Sequence, residues 1–227
     1  MWYTDKNERN GVYRMLCCIF GAFPDDSPVK LPENALLIAA DGGFRTLERL
    51  GRRPDLTVGD FDSLGYVPEG PVLRHPVEKD DTDTMLAVRE GLRRGCDTFL
   101  LYGGVGGRLD HTVANLQTLA FIRENGAHGF LCGGGYAVTL IREEALTLPA
   151  VVSGTLSVFA CGGDACGVTL QGLYYPLTEG TLTPAFPIGV SNSFTGAPVR
   201  VAVRKGSLLV MWELPACGPE RAAFDTL

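Results

Sequence analysis

FLLYGGVGGRLDH, residues 99–111, is the stretch whose reading decides the fold. Phe99 to Tyr102 are apolar without interruption and stop at Gly103-Gly104. A run that is apolar at every position, rather than at every second one, fits a strand covered on both faces, as in a parallel sheet. The glycines then lead into Val113, Leu116 and Ala120, spaced by three and four, with Gly126 as a stop. That spacing predicts a helix with those three side chains toward the core. Working outward, Met15–Phe20 and Ala35–Ala40 are further continuous apolar runs, the second ending at Asp41-Gly42-Gly43. Met85, Val88 and Leu92 predict a second helix, stopped by Gly95. Strands alternating with helices predict an open, mostly parallel α/β sheet.

After about Leu131 the pattern changes. Gly133-Gly134-Gly135 reads as a turn, and beyond it the helical period gives way to a period of two. Leu156, Val158 and Ala160 alternate with Thr155, Ser157 and Phe159; Val199, Val201 and Val203 alternate with Arg200, Ala202 and Arg204. Glycines recur between these runs, so a small antiparallel β-sandwich is expected. The division predicted is an α/β domain over residues 1–144 and a β domain over residues 145–227. The tail after Trp212, with Pro215, Gly218 and Pro219, is expected to fray.

Composition narrows the function classes. Of 227 residues, 45% are hydrophobic and 20% charged, which excludes a disordered chain or a coiled coil. Twenty basic residues against 26 acidic ones leave a net charge of −6, which argues against nucleic acid as a partner. An acidic protein can still bind phosphates by recruiting a divalent cation. The seven cysteines (17, 18, 96, 132, 161, 166 and 217) are odd in number and form no C-x-x-C, so they read as reduced thiols. Met15 to Phe23 has the length of a signal-peptide core, but Asp5 and Glu8 spoil the basic flank and no A-x-A site follows. A buried strand is the better reading. No run reaches the roughly 18–20 residues of a membrane span, so no membrane association and a cytoplasmic location are expected.

Four polar clusters fall just past predicted strand ends, where an open α/β sheet binds ligands. They are Asp41-Gly42-Gly43; Gly59-Asp60-Phe61-Asp62-Ser63; Lys79-Asp80-Asp81-Thr82-Asp83; and Gly103 to His111. Each alone has a structural explanation. Asp41-Gly42-Gly43 could be a turn, Asp80 and Asp110 could be helix N-caps, and Arg108 could pair with a surface carboxylate. His75 and His128 stand outside the clusters and read as structural. Jointly, bare aspartates gathered at one sheet edge would repel, and a hard divalent cation such as Mg²⁺ removes that problem. Asp60 and Asp62, two apart in an extended chain, would point the same way and share an ion. Helix N-termini near Asp80 and Asp110, the glycines at 103, 104, 106 and 107, and the cations Lys79 and Arg108 suit a polyphosphate. That equipment points to metal-assisted phosphoryl transfer, without a Walker A sequence.

G-D-F-D-S (Gly59–Ser63), K-D-x-T-D (Lys79, Asp80, Thr82, Asp83), G-G-R-x-D-H-x-x-x-N (Gly106, Gly107, Arg108, Asp110, His111, Asn115) and Ser191-Asn192, in that order, resemble the thiamine pyrophosphokinase (thiamin diphosphokinase) family. The chain departs from the family pattern at Phe44, where the Asp-x-Gly-Ala type sequence reads Asp41-Gly42-Gly43-Phe44, and after Ser191-Asn192, where many relatives have Glu and this chain has Ser193-Phe194. The resemblance implies a homodimer with composite active sites, each an α/β domain facing a partner's β domain. It implies transfer of the β,γ-pyrophosphoryl unit of ATP to the hydroxyl of thiamine, giving thiamine diphosphate and AMP. Carried over, Asp60, Asp62 and Asp83 are the Mg²⁺ ligands. Asp41, Gly42, Thr82, Gly106, Gly107 and Asp110 form the ATP site, and Lys79 and Arg108, with Asp62 and Asp83, serve catalysis. Ser191 and Asn192 contact thiamine, and Tyr174, Tyr175 or Phe194 stacks on its ring or sits in the core.

Other readings compete. Asp60-Phe61-Asp62 matches the D-x-D loop of haloacid-dehalogenase-type phosphatases, although Thr57-Val58-Gly59 is a poor apolar strand before it. A pyrophosphokinase for another alcohol, such as a hydroxymethylpterin, or a non-catalytic nucleotide or thiamine sensor would keep much of the same equipment.

Overall fold

The computed structural model describes residues 5–6, 13–24, 29, 31–62, 64–74 and 81–227. The chain divides into two compact units, Met1–Gly134 and Gly135–Leu227. The turn at Gly134-Gly135 separates them, both glycines having positive φ. The boundary anticipated at 144/145 lies ten residues further on, inside the second unit.

The first unit opens with a two-residue antiparallel pairing of β1 (Asp5–Lys6) and β2 (Tyr13–Arg14). Its body is a six-stranded parallel sheet: β3 (Leu16–Phe20), β4 (Leu36–Ala40), β5 (Leu56–Gly59), β6 (Val72–Arg74), β7 (Thr98–Tyr102) and β8 (His128–Gly133). Their spatial order is β6-β5-β4-β3-β7-β8. In register, Ile19 lies between Ile38 on β4 and Leu101 on β7. The continuous apolar runs do become these covered strands, since β4 is buried at all five positions. The connections are α1 (Gly43–Arg49), α2 (Asp83–Arg93) and α3 (Leu109–Glu124). α1 packs on β3 and β4, α2 on β3, β4 and β5, and α3 on β8. The strand order reverses between β3 and β7, which makes that gap the switch point of a doubly wound sheet.

Three elements differ from expectation. α1 and β6 carry no strong periodic signal; β6 is a three-residue strand exposed at every position. In α3 the stripe turned inward is Asn115, Thr118, Leu119 and Ile122. Val113 is 50% exposed, not core-facing as its spacing predicts. The polar pair wins the inner face because each makes a backbone bond there: Asn115 Nδ2 donates to Gly104 O (2.9 Å) and Thr118 Oγ1 to Ala114 O (3.0 Å).

The second unit is antiparallel throughout. It comprises β9 (Tyr136–Arg142), β10 (Glu144–Leu148), β11 (Thr155–Gln171), β12 (Leu177–Leu182), β13 (Asn192–Ser193), β14 (Val199–Ala202), β15 (Lys205–Glu213) and β16 (Ala223–Thr226). The 17-residue β11 is its spine. Its first half pairs with β15, from Leu156↔Trp212 to Cys161↔Ser207. Its second half pairs with β14 and β12. One strand thus serves two ladders, as sheet-switching strands do in sandwiches. Leu156 and Val158 are buried, as their alternation predicts. The tail is not frayed. Residues 223–226 form β16 against β10, and the buried Trp212 indole N–H donates to Cys217 O (2.7 Å). All seven cysteines are free thiols. Among the described residues no helix is long and apolar enough to cross a membrane.

Candidate active site

Because β3 to β8 are parallel, the loops that follow β3, β4, β5 and β7 leave the same edge of the sheet. Asp41 is the first residue after β4. Its N–H donates to Val58 O on β5 (2.8 Å), and its backbone is held at φ 45°. A non-glycine residue in that region is uncommon and gathers at functional sites. Its Oδ1 is buried and has no hydrogen-bond partner among the described residues. Gly42 follows as the N-cap of α1. At Gly43 any side chain would collide with the Phe20 carbonyl oxygen, so only glycine lets α1 start here.

After β5, Asp60 is half-buried and Asp62 exposed. They are not joined by extended chain. Phe61 between them is 3% exposed with φ 67°, and the Asp62 N–H donates to Asp60 Oδ1 (3.0 Å). The backbone turns left-handed at Phe61 and its ring is buried, so the chain is not extended between the two carboxylates. The turn is completed by Leu64 and Gly65 N–H groups donating to Phe61 O. The two carboxylates are therefore neighbours through a turn, not through strand alternation.

Ser63, His75, Lys79 and Asp80 lie outside the described residues. The N-cap of α2 is Thr82, whose Oγ1 accepts the Met85 N–H (3.1 Å). Asp83 is the first helical residue, where the helix dipole favours a negative charge. Asp81 is held by Arg89 (2.8 Å), whose guanidinium lies 4.7 Å from the centre of the Phe121 ring.

After β7 come Gly103 to Gly107 and then α3. Its N-cap is Arg108, not Asp110, and no side chain caps it. Asp110 sits in the first turn. Arg108 grips it at two points, Nη2–Oδ2 2.6 Å and Nε–Oδ1 3.2 Å, and Oδ1 also accepts the His111 N–H. The hydrogen bonds from Arg108 pull the Asp110 carboxyl below its ordinary range and push the Arg108 guanidinium up. Both side chains are exposed, so this pair adds little to stability. Gly106 N–H donates to Thr112 Oγ1 (3.3 Å).

The edge thus brings Asp41, Gly42, Asp60, Asp62, Gly106, Gly107, Arg108 and Asp110 onto consecutive loop ends. It does not gather them into a cage: among the described residues no three His, Cys, Asp or Glu side chains converge as ready-made metal ligands.

In the second unit, Ser191 is exposed with φ 57°, and its N–H donates to Ser157 Oγ (3.0 Å). Asn192 is 6% exposed, and its amide is committed to the chain's own backbone. Oδ1 accepts the Tyr175 N–H (2.9 Å) and the Ser193 N–H (3.0 Å), while Nδ2 donates to Tyr175 O (2.7 Å). Asn192 thereby fixes the turn carrying Tyr174 and Tyr175, two exposed rings packed edge to face at 4.8 Å. Phe194 is buried, which assigns it to the core. Reading by motif named Asn115 without a role and missed the Tyr175 clamp. The spacing of Asn115 after Arg108 was the available signal for the first, and nothing in the sequence pointed to the second.

These features define a class: a doubly wound α/β domain with acidic and glycine-rich loops at its carboxyl edge, followed by an antiparallel β domain. Comparison with known proteins gives the family. Residues 30–129 match the thiamin pyrophosphokinase catalytic domain and residues 144–208 the thiamin pyrophosphokinase vitamin B1 binding domain. The chain is 36% identical over 196 residues to the thiamine pyrophosphokinase of Bacillus subtilis, covering 79% of this chain and 87% of that protein. A crystal structure of the Bacillus subtilis thiamine pyrophosphokinase superposes with a TM-score of 0.78 at 24% identity, over 88% of this chain and 99% of that one. A thiamin pyrophosphokinase family protein from Enterococcus faecalis gives 0.75 at 26% identity, over 88% and 98%. The chain belongs to the thiamin pyrophosphokinase family. It is an enzyme, a kinase of thiamine diphosphate formation. The phosphatase reading of Asp60-Phe61-Asp62 and the reading of the chain as a non-catalytic sensor fall with that assignment.

Proposed function

We propose that the carboxyl edge of the first unit is where this family member transfers the β,γ-pyrophosphoryl unit of ATP to the hydroxyl of thiamine, releasing thiamine diphosphate and AMP. The observation that carries the assignment to this edge is Asp41 Oδ1, a buried carboxylate oxygen without a partner among the described residues. Leaving a buried acceptor unpaired costs about 1–3 kcal/mol, a cost that a bound ion, ligand or ordered water at this edge would offset.

The donor set here is carboxylate oxygen, the chemistry that Mg²⁺ takes, with one or two carboxylates and substrate phosphates completing the shell. Asp60, Asp62 and Asp83 would hold it. When bound, it neutralises charge on the phosphate oxygens. The chain's own residues do the rest. Gly42, Gly106 and Gly107 bring bare backbone close to the polyphosphate, with Asp41 and Asp110 supporting the site. Thr82 Oγ1 accepts the Met85 N–H, and its own proton remains for a phosphate oxygen. Arg108, released from the exposed fork with Asp110, joins Lys79 in meeting the charge of the transferring group. A carboxylate of the acidic set takes the proton of the thiamine hydroxyl late in a loose transition state. Most of the rate enhancement is positioning and charge neutralisation.

Thiamine is read at Ser191 and at the tyrosine turn that Asn192 clamps. The enzyme acts as a homodimer in which one protomer's second unit faces its partner's first. The exposed Tyr174, Tyr175, Phe186, Ile188 and Val190 of the second unit support that reading, as apolar surface that a partner would cover. Seven free thiols suit a cytoplasmic protein. The test is to incubate the protein with ATP, thiamine and Mg²⁺ and resolve the products. AMP should appear one for one with thiamine diphosphate. ADP with thiamine monophosphate would overturn the assignment.

A further inference from the structure

At the switch point the loop after β3 is laced to the loop after β7. The Gly21 N–H donates to Tyr102 O (2.7 Å) and the Phe23 N–H to Gly103 O (3.2 Å). Below them the Phe20 and Tyr102 rings stack at 5.0 Å. The Phe23 ring then reaches the two glycines read as the phosphate loop. A Cβ on Gly106 would fall 2.6 Å from ring atom Cε1 and 2.9 Å from Cζ. A Cβ on Gly107 would fall 2.6 Å from Cδ2 and 2.8 Å from Cε2. The two residues therefore lie against opposite edges of a single ring, each in a backbone conformation, φ 97° and 61°, that disfavours a side chain. Phe23 is 38% exposed, so burial in its own core is not what places it there.

We propose that Phe23 is a positioning residue for pyrophosphoryl transfer, its ring a platform that fixes the Gly106-Gly107 backbone where the ATP phosphates bind. The proposal rests on the reading of the glycine loop given above. Glycine backbone is the least ordered of any residue, and a loop of five residues with four glycines must be pre-organised to bind tightly. Two ties hold it from α3: the Thr112 hydroxyl on Gly106 N–H and the Asn115 amide on Gly104 O. The Phe23 ring holds it from the other side of the switch point. Phe23 stands before residue 30, ahead of the segment that matches the family's catalytic domain.

The experiment is steady-state kinetics on Phe23→Ala, Phe23→Leu and Phe23→Tyr, with Gly106→Ala made in the wild-type and Phe23→Ala backgrounds. Loss of the ring should raise the KM for ATP about tenfold while leaving the KM for thiamine within about twofold. Phe23→Tyr keeps the flat ring and should restore the ATP KM; Phe23→Leu keeps bulk without the ring face and should not. Gly106→Ala should cost several-fold less in the Phe23→Ala background, because the clash with the ring is gone. An unchanged ATP KM in Phe23→Ala or Phe23→Leu, equal rises for both substrates, or the same Gly106→Ala cost in both backgrounds would overturn the proposal. If Phe23→Ala fails to fold, Phe23→Leu decides by its ATP KM. A wild-type protein that makes no thiamine diphosphate would instead defeat the functional reading and is distinguished by that control.

Discussion

α2 and α3 both begin at the carboxyl edge with an aspartate in the first turn, yet they are finished differently. α2 is closed at both ends. Thr82 caps its first turn, and near its end Glu90 is held by Arg93 and Arg94 at 2.7 Å each. α3 starts without a side-chain cap, on the exposed Arg108, directly after a glycine loop. An uncapped helix start leaves N–H groups and the positive end of the dipole facing outward, which is what a phosphate needs. The contrast is that α2 carries Asp83 on a first turn capped by Thr82, whereas α3 has no N-cap side chain and spends one carboxylate oxygen of Asp110 on the His111 N–H, which leaves the remaining first-turn N–H groups for the phosphate of the proposed function.

The largest expected effect lies on the open helix. Arg108→Ala should lower kcat by about a hundredfold to a thousandfold, as removal of a charge-stabilising donor does elsewhere. The circular dichroism spectrum should not change, since the side chain packs on nothing but Asp110 among the contacts seen. Turnover near wild type at saturating ATP would place Arg108 among surface ion pairs and erase the difference between the helices.

Next comes the far end of α2. Hydrogen bonds from Arg93, then Arg94, hold the buried Glu90 carboxyl down to about 2 from an ordinary 4.5. A depressed acid stabilises the fold fully above its unfolded value and loses that contribution as pH falls through the folded one. Wild type should therefore lose on the order of 3 kcal/mol between pH ~5 and pH ~2 that Glu90→Gln does not lose. Urea unfolding of both proteins across that range checks it; parallel curves would show that the network adds nothing.

The smallest effect is at the capped start. Thr82→Ala should cost about 1 kcal/mol of stability through the lost cap, and Thr82→Ser should recover it. The same change should cost far less turnover than Arg108→Ala. If Thr82→Ala leaves the melting temperature alone but abolishes activity, the hydroxyl serves the phosphate and not the helix.

How much of this was legible in the sequence depends on how local the cause is. β3, β4 and β7 could be read because a strand covered on both faces writes an unbroken apolar run. α2 could be read from Met85, Val88 and Leu92, and Gly95 with φ 85° ends it as expected. α3 misled because it carries two stripes: Val113, Leu116 and Ala120 on one side, Asn115, Thr118, Leu119 and Ile122 on the other. The burial of Leu119 and Ile122, together with the bond from Asn115 to Gly104 O eleven residues away, decides between them. β6 was invisible because three exposed residues at a sheet edge leave no hydrophobic pattern. The site behaves likewise. Its loops announce themselves as short acidic and glycine motifs at strand ends. The turn at Phe61, the Asp41 oxygen that has no partner among the described residues and the Phe23 ring against Gly106 are products of packing between separate strands and leave no periodic trace.

The central claim is that the carboxylates of this edge carry the charge of the transfer. The most direct measurement is the single-turnover rate of thiamine diphosphate formation by Asp62→Asn and by Asp83→Asn, at saturating ATP, thiamine and Mg²⁺. Each substitution keeps size while removing one negative charge and exchanging one acceptor oxygen for an amide donor. The account predicts a loss of about a hundredfold or more in each, with the folded circular dichroism spectrum retained. Rates within about twofold of wild type in both would contradict it and leave the acidic edge as turns and helix starts alone.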